Sequence, residues 1–157
     1  MKRIKHFSTY LGELGVAEME SRITYVYLPG ERPTEPTVEE ENTLLNEAAE
    51  QIKAYLAGQR RTFDLPLAPE GSPFSLMVWN ALLEIPYAEV RSYSSIATAV
   101  GRPGGARAVG QACNANPIPL IIPCHRVIGS GGRLTGYAGG VEIKESLLEL
   151  ERRLGKP

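Results

Sequence analysis

Residues 92–127 read SYSSIATAVGRPGGARAVGQACNANPIPLIIPCHRV, and this stretch decides how the rest of the chain is interpreted. Ser92 can cap a short helix, the glycines and proline of residues 101–105 end it, and residues 106–115 can form a second helix. Two short helices joined by a glycine-containing turn are typical of a helix-turn-helix, whose second helix normally contacts DNA. Helical hairpins also pack for purely structural reasons, so DNA binding and structural packing both remain open here.

The end of this stretch predicts a cysteine held on an irregular backbone. Pro119 and Pro123 exclude a regular central strand, so Cys124 follows a buried apolar segment that is neither helix nor sheet. A cysteine reacts as its thiolate and needs a base or a positive charge nearby, and His125 and Arg126 come next in the sequence. Consecutive side chains in an extended segment point to opposite faces, which leaves two interpretations: a reactive thiol whose histidine acts through a bridging water, or a buried cysteine beside a surface histidine.

Two further segments flank the stretch on the C-terminal side. Residues 129–140, GSGGRLTGYAGG, predict a glycine-rich loop with the composition of a wing beside a helix-turn-helix. Residues 141–154 predict a last helix, whose inner face could carry Glu151. On the N-terminal side, Ser72 and Pro73 predict the start of a helix that runs to Leu83 and buries Phe74, Met77, Val78, Ala81 and Leu82, with Trp79 as a core aromatic.

The first 70 residues predict a separate lobe. Residues 4–28 contain segments rich in β-branched and aromatic residues and predict an antiparallel hairpin or meander. After a proline-rich connection, Thr37 and Glu40 form a plausible capping box, which predicts an amphipathic helix that starts at Thr37 and stops at Gly58. The linker that follows, GQRRTFDLPLAPEG, puts the boundary between the lobes near residue 70.

Composition excludes several classes of protein. Two cysteines and two histidines in 157 residues are too few for a disulfide framework or a tetrahedral zinc site, so no metal is expected. No apolar run approaches the roughly 20 residues that span a bilayer, and the N-terminus lacks the features of a signal peptide, so we expect a cytoplasmic protein without a membrane partner. Residues 1–73 carry eight Lys/Arg against twelve Asp/Glu, whereas residues 87–140 carry five Arg against one Glu. That basic segment suggests a phosphate-facing surface, and a merely solvated surface remains open as the other interpretation.

From about Phe74 to Glu151 the chain resembles the O6-alkylguanine-DNA alkyltransferases, which repair methylated guanine. The resemblance rests on IPCHRVI, on ARAVGQACNANP before it, on SPFSLMVWNALLEIPYAEVRSYSSIA upstream and on GGRLTGYAGGVEIKESLLELE downstream. It implies an α+β fold with a small N-terminal antiparallel sheet-plus-helix lobe and a C-terminal helical lobe that carries a winged helix-turn-helix-like motif. Residues 1–70, which resemble the family only loosely, would be its ribonuclease-H-like or structural lobe, and residues 71–157 the DNA-binding and alkyl-acceptor domain.

The resemblance also implies a catalytic set. Cys124 matches the alkyl acceptor, His125 matches the residue that deprotonates it through a water, and Glu151 matches the carboxylate that orients the histidine. Asn116 matches the hinge asparagine that ties the active-site turn to the recognition helix. Each molecule would act once, without a cofactor, because nothing regenerates the thiol from the thioether.

The remaining implied roles concern the substrate. The partner would be double-stranded DNA that contains O6-alkylguanine, with O4-alkylthymine left open as a second substrate, bound through the minor groove by a monomer that flips the damaged nucleotide. Tyr93 would rotate the backbone phosphate, and Arg107 would enter the stack that the base has left. The implied pocket residues are Tyr137, Val127 and Ala138, and the implied DNA contacts are Tyr93, Ser94, Arg102, Ala106, Arg107 and Ser130.

The sequence departs from the family at Ser146, where many members have an aromatic residue, and at Ala138, where some have serine. Two other hypotheses remain open. A noncatalytic helix-turn-helix protein that binds DNA or signals damage would use the basic segment and need no thiolate. A cysteine hydrolase or redox enzyme would turn over repeatedly, although neither cysteine lies in a CxxC pair.

Overall fold

The computed structural model describes residues 1–155, which fall into two compact units. The first unit comprises Met1–Glu70 together with Pro117–Ile121, and the second comprises Gly71–Asn116 together with the chain from Ile122 onward. The division after residue 70 lies where the linker composition predicts it. Residues 117–121 differ from the expectation because their backbone hydrogen-bonds to the first unit: the Val26 N–H donates to the Pro117 carbonyl at 2.9 Å. The predicted α+β fold class, with a sheet lobe followed by a helical lobe, is confirmed.

The first unit is built on a four-stranded sheet. Strands β1 (Lys2–Thr9), β2 (Gly12–Met19) and β3 (Arg22–Tyr27) form the predicted antiparallel meander, and β4 (Thr37–Glu39) completes the spatial order β3-β2-β1-β4. The turn between β2 and β3 consists of Glu20 and Ser21, both at positive φ, as the tight hairpin turns that match strand twist require.

The predicted helix start at Thr37 is wrong. Thr37 and its neighbours form β4, which pairs parallel with β1, so the sheet is mixed instead of purely antiparallel. The free edge of β1 offers these residues main-chain hydrogen bonds, which a helix in their place would leave unmade. Helix α1 begins later, at Thr43–Leu56, where the Asn42 side chain accepts from the Leu45 N–H at 2.8 Å. Val38 is consequently exposed in the sheet and does not belong to the helix stripe.

Helix α1 otherwise matches its prediction. Its apolar stripe is buried, and it stops at Gly58, whose φ of 77° suits the residue after a helix C-terminus. The Gln51 side chain fixes the linker that follows, because it accepts from the Asp64 N–H at 2.9 Å and donates to the Asp64 carbonyl at 3.2 Å. The buried stripe comprises Leu45, Ala48, Ala49, Ile52, Tyr55 and Leu56.

The second unit begins with helix α2 (Pro73–Leu82), which Ser72 caps as predicted. Trp79 is buried and donates its indole N–H to the Ala112 carbonyl at 2.9 Å, so it is a core residue. Met77 was expected in the buried stripe and is 48% exposed, because Trp79 supplies the large apolar side chain on the buried side of α2.

The two short helices that the sequence predicts on either side of a glycine-containing turn are present. Helix α3 (Tyr93–Ala99) is capped by Ser92, and helix α4 (Ala106–Asn114) follows after a turn in which Gly101 and Gly104 have positive φ. The buried residues of the two helices are Ile96, Ala97, Val109, Ala112 and Cys113.

The rest of the second unit surrounds Cys124. Residues 124–126 form one turn of 3₁₀ helix, and β6 (Val127–Ile128) pairs parallel with β5 (Arg91–Ser92). The glycine-rich segment that follows is a loop without strand pairing among the described residues, and it contains a short 3₁₀ turn, Ser130–Gly132. Helix α5 (Val141–Gly155) follows this loop. In the part of the chain that the structure describes, no helix is long and apolar enough to cross a membrane.

Candidate active site

The backbone before Cys124 is fixed by Asn116, which follows helix α4. The Asn116 side-chain amide donates to the Ile122 carbonyl at 2.8 Å, and the Cys124 N–H donates to the same carbonyl at 2.8 Å. One carbonyl oxygen therefore joins the asparagine to the cysteine turn. The structure brings Asn116 and Cys124 together as the sequence analysis expected of a hinge residue, and both are buried.

Cys124 is a thiol at neutral pH when considered alone. Burial raises its pKa to about 11, although a hydrogen bond with the Asn116 side chain, the positive charge of Lys144 and a backbone hydrogen bond each act to lower the pKa. Because a thiol is a far weaker nucleophile than a thiolate, the group needs a base for reaction near neutrality.

His125 is placed to be that base by its bond to Glu151. The imidazole Nε2 lies 2.8 Å from the Glu151 Oε2, and both side chains are almost wholly buried, with exposures of 0% and 1%. Burial opposes ionisation of Glu151, but hydrogen bonds from His125 and Arg126 lower the pKa of its carboxyl to about 2. An ionised carboxylate can only accept, so Nε2 carries a proton and donates it to Glu151. Nδ1 is therefore the basic nitrogen of a neutral His125.

The His125 imidazole is held neutral by its surroundings. Burial lowers its pKa, and the charges of Arg126 and Lys144 lower it further, while Glu151 acts to raise it. Because Arg126 already compensates the charge of Glu151, the carboxylate does not need a proton on His125 Nδ1, and the imidazole is neutral in the resting protein. A buried neutral imidazole that donates to a carboxylate is suited to accept a proton.

Two residues that the sequence analysis did not assign to the site are part of it. Arg126 is buried and donates to Glu151 from Nε at 2.9 Å and from Nη2 at 3.0 Å. Lys144 of α5 is 1% exposed, donates from Nζ to the Thr135 carbonyl at 3.0 Å and lies 3.3 Å from the Tyr93 hydroxyl. The sequence signal for Lys144 is its place on the buried stripe of the last helix, since lysine is almost never fully buried without a partner.

Tyr93 stands at the start of α3, where its neighbours fix its orientation. Its hydroxyl donates to the Thr135 carbonyl at 3.1 Å, and the Lys144 ammonium lies 5.6 Å from the centre of its ring. Burial raises the pKa of the Tyr93 hydroxyl, which stays protonated at neutral pH. Tyr93 therefore connects α3 to the loop before α5.

The three predicted pocket residues differ in burial. Tyr137 is 8% exposed, and its hydroxyl has no hydrogen-bond partner among residues 1–155. Burial and the charge of a Cys124 thiolate raise the pKa of Tyr137 well above its ordinary value of 10. Val127 is fully buried in β6, while Ala138 is exposed beside Tyr137.

The predicted DNA contacts lie on the surface. Arg107 is exposed in the first turn of α4, and Ala106 before it is half-buried. Arg102, in the turn between the helices, is exposed with its guanidinium 5.0 Å from the centre of the Phe74 ring. Ser94 in α3 and Ser130 after β6 are also exposed. Arginines and hydroxyls on an exposed helix-turn-helix can contact phosphates, which is the chemistry expected of these positions.

Comparison with known proteins gives the family. The family model described as 6-O-methylguanine DNA methyltransferase, DNA binding domain, matches residues 73–153, and the model of the ribonuclease-like domain of the same family matches residues 3–69.

Individual relatives agree with these matches. The constitutive methylated-DNA–protein-cysteine methyltransferase of Bacillus subtilis is 50% identical over 151 residues, which cover 92% of each chain. The methylated-DNA–protein-cysteine methyltransferase of Methanosarcina acetivorans is 48% identical over 148 residues, which cover 92% of this chain and 95% of the relative. The crystal structure of Mycobacterium tuberculosis OGT in complex with DNA superposes with a TM-score of 0.92 at 41% identity and covers 97% of this chain and 94% of that one. The chain therefore belongs to the 6-O-methylguanine DNA methyltransferase family.

Proposed function

We propose that this protein repairs DNA by transferring the alkyl group of O6-alkylguanine to the sulfur of Cys124, after the damaged nucleotide has been flipped out of the duplex. The observation that carries the proposal is the buried set of three residues in which Glu151 is hydrogen-bonded to His125, the residue that follows Cys124. The relatives are named for the transfer of a methyl group from methylated DNA to a protein cysteine. This activity agrees with a buried cysteine that is followed by a hydrogen-bonded histidine.

The chemical step follows from the protonation states. The Cys124 thiol passes its proton to Nδ1 of His125 through a bridging water, and the thiolate attacks the alkyl carbon that is bonded to the guanine O6. A carbon–sulfur bond forms, the carbon–O6 bond breaks, and the electron pair of the broken bond leaves with the guanine. The departing guanine takes up a proton and His125 gives up the one that it accepted, so the products are unmodified guanine in DNA and a thioether on Cys124.

Each molecule acts once. A thioether has no leaving group that water or a second thiol displaces under mild conditions, and the step requires no cofactor. We also propose that the protein acts as a monomer in the cytoplasm.

Flipping is required because Cys124 is 5% exposed and cannot reach a base that is stacked in a duplex. Extrusion costs a few kcal/mol of unstacking and unpairing, and less for a damaged pair. Arg107, exposed at the start of α4, would fill the vacated space and offset part of this cost. The small side chains at Ala106, Ala108 and Gly110 suit close approach of α4 to a minor groove.

The proposal is tested by the stoichiometry of transfer. Duplex DNA with labelled O6-methylguanine is mixed with the protein at several ratios, and the label bound to protein is counted. We expect a plateau at one label per chain, reached at every excess of DNA. Repeated turnover would indicate a cysteine hydrolase or another catalytic enzyme, and DNA binding without transfer would indicate a noncatalytic damage-binding protein.

A further inference from the structure

The Arg126 side chain is buried, with 7% exposure, directly after His125 in the 3₁₀ turn. Its guanidinium donates two parallel hydrogen bonds to Glu151, from Nε to Oε1 at 2.9 Å and from Nη2 to Oε2 at 3.0 Å. Its Nη1 donates to the Ile85 carbonyl at 2.7 Å. This fork geometry is specific to arginine, because lysine offers a point charge without two coplanar donors.

The fork leaves Glu151 no alternative orientation. Its Oε1 also accepts from the Ala88 N–H at 3.0 Å, and its Oε2 also meets the His125 Nε2 at 2.8 Å. At least four donors meet the two oxygens, about as many as a carboxylate can accept. Ala88 adopts a φ of 69°, a left-handed conformation that a residue with a side chain rarely adopts. The backbone near residue 88 is thus held in a strained form that delivers one of the four donors.

The charge of Arg126 matters as much as its shape. A lone buried carboxylate 2.8 Å from an imidazole favours the imidazolium, which cannot accept a proton. Within residues 1–155, the charged groups that act on His125 are Glu151 and Lys144 from α5 and Arg126 on its own turn, which also carries the Cys124 thiol. Among these, Arg126 is the cation that touches both oxygens of the carboxylate.

We propose that Arg126 is a positioning residue for alkyl transfer, which holds the Glu151 carboxylate in one orientation and offsets its charge so that His125 stays neutral. The effect of Arg126 on alkyl transfer rests on the proposed function, but the protonation state of His125 can be measured without any substrate. If Arg126 served stability alone, its loss would weaken the fold and leave the titration of His125 unchanged.

The experiment is an NMR titration of the two histidines of the chain, His6 and His125, with His6→Gln for assignment. Arg126→Met removes the charge and the fork, Arg126→Lys keeps the charge, and Arg153→Met is the matched control at an exposed arginine of α5. We expect the His125 midpoint to move to higher pH in Arg126→Met, to move less in Arg126→Lys, and to stay unchanged in the control. An unchanged midpoint in folded Arg126→Met would overturn the proposal.

The second readout is the rate at which iodoacetamide alkylates Cys124, measured against pH by mass spectrometry. A higher titration midpoint for His125 means that less of the neutral imidazole is present at low pH. We therefore expect Arg126→Met to be alkylated roughly tenfold or more slowly than the unmodified protein at the lowest pH measured, and at the same rate at high pH. The same fractional loss at every pH would count against the positioning role.

Arg126→Lys keeps the test decisive if Arg126→Met does not fold. With the charge kept and one donor lost, we expect roughly tenfold slower alkylation near neutral pH. A rate within about twofold of the unmodified protein would show that the fork is unnecessary.

The two proposals fail in different ways. If the unmodified protein takes no alkyl group from DNA while the His125 midpoint still moves in Arg126→Met, the proposed function fails and the positioning role of Arg126 stands. If alkyl transfer occurs and the midpoint does not move, only the positioning role fails.

Discussion

Cys124, His125 and Glu151 are buried. Arg107, Arg102 and Ser94, by contrast, are exposed on or between α3 and α4. The buried groups have their geometry set by bonds within the chain, such as the 2.8 Å contact of His125 with Glu151. No salt bridge of Arg107 occurs within residues 1–155, so its exposed guanidinium is available to a partner outside the chain. Under the proposed function, the chemical site is organised before DNA arrives, and the exposed surface is completed by DNA.

This difference separates two kinds of defect. A change among the buried groups should alter reaction with free O6-alkylguanine as well as with duplex DNA, and it should often cost stability. A change on the exposed helices should alter reaction with the duplex alone, because a free base needs no flipping. The following variants test whether the two regions behave in this way.

The largest effect is expected for Cys124→Ala, which removes the attacking sulfur. We expect no detectable transfer from duplex DNA or free base, and unchanged affinity for undamaged DNA in a gel-shift assay. Cys113→Ala, which alters the other buried cysteine, is the matched control and should retain one equivalent of transfer. Residual transfer by Cys124→Ala would mean that an atom other than the Cys124 sulfur accepts the alkyl group.

Glu151→Gln should cause the next largest effect, on rate and stability together. Removing the charge leaves the buried Arg126 guanidinium uncompensated, so the free energy of unfolding should fall by about 3 kcal/mol in urea denaturation. Reaction with free O6-benzylguanine should slow by roughly a hundredfold at neutral pH. Equal rates for the variant and the unmodified protein would contradict the orienting role of Glu151.

The same variant has a pH signature. The pKa of Glu151 is about 2 in the folded protein against 4.5 ordinarily, so its contribution to stability is complete above about pH 5 and is lost as the pH falls towards 2. Glu151→Gln should therefore flatten the loss of stability in that acid range. An unchanged acid profile would show that other groups dominate it.

Arg107→Ala should have a smaller effect, confined to the duplex. We expect roughly tenfold slower repair of duplex substrate, since the space left by the flipped base is no longer filled, while the free-base reaction changes little. Arg153→Ala, at an exposed arginine of α5, is the control and should leave both rates unchanged. Equal losses on duplex and free base would remove the distinction between the two regions.

Asn42→Ala should have the smallest effect because it lies in neither region. Loss of the side-chain bond to the Leu45 N–H should cost about 1 kcal/mol of stability, as typical N-cap replacements do. The rate of transfer per folded molecule should not change, whereas a change in that rate would mean that the first unit influences the chemistry. Asn42→Ser, which keeps a capping oxygen and places no second carboxylate beside Glu18, should restore the capping contribution.

The sequence predicts the second unit better than the first. Ser92, Asn116 and the prolines around Cys124 carry local signals, such as caps and breakers, that act over a few residues. The error at Thr37 arose because a plausible capping box competed with the edge of β1, and edge pairing depends on tertiary structure that local patterns do not contain.

The site shows the same limit. Cys124 and His125 could be identified from adjacency and family resemblance, but the burial of Lys144 and the four donors around Glu151 could not. Arg126 was counted in the sequence as part of a basic surface segment, although its charge is buried against Glu151. A count of charges therefore overstates the positive surface, because it does not distinguish an arginine that faces solvent from one that is paired inside.

The most direct test of the account is a peptide-mapping mass spectrum of the protein after it is mixed with duplex DNA that contains O6-methylguanine. We expect one added methyl group per chain, located on Cys124. A methyl group on Cys113, or an unmodified protein beside fully repaired DNA, would contradict it.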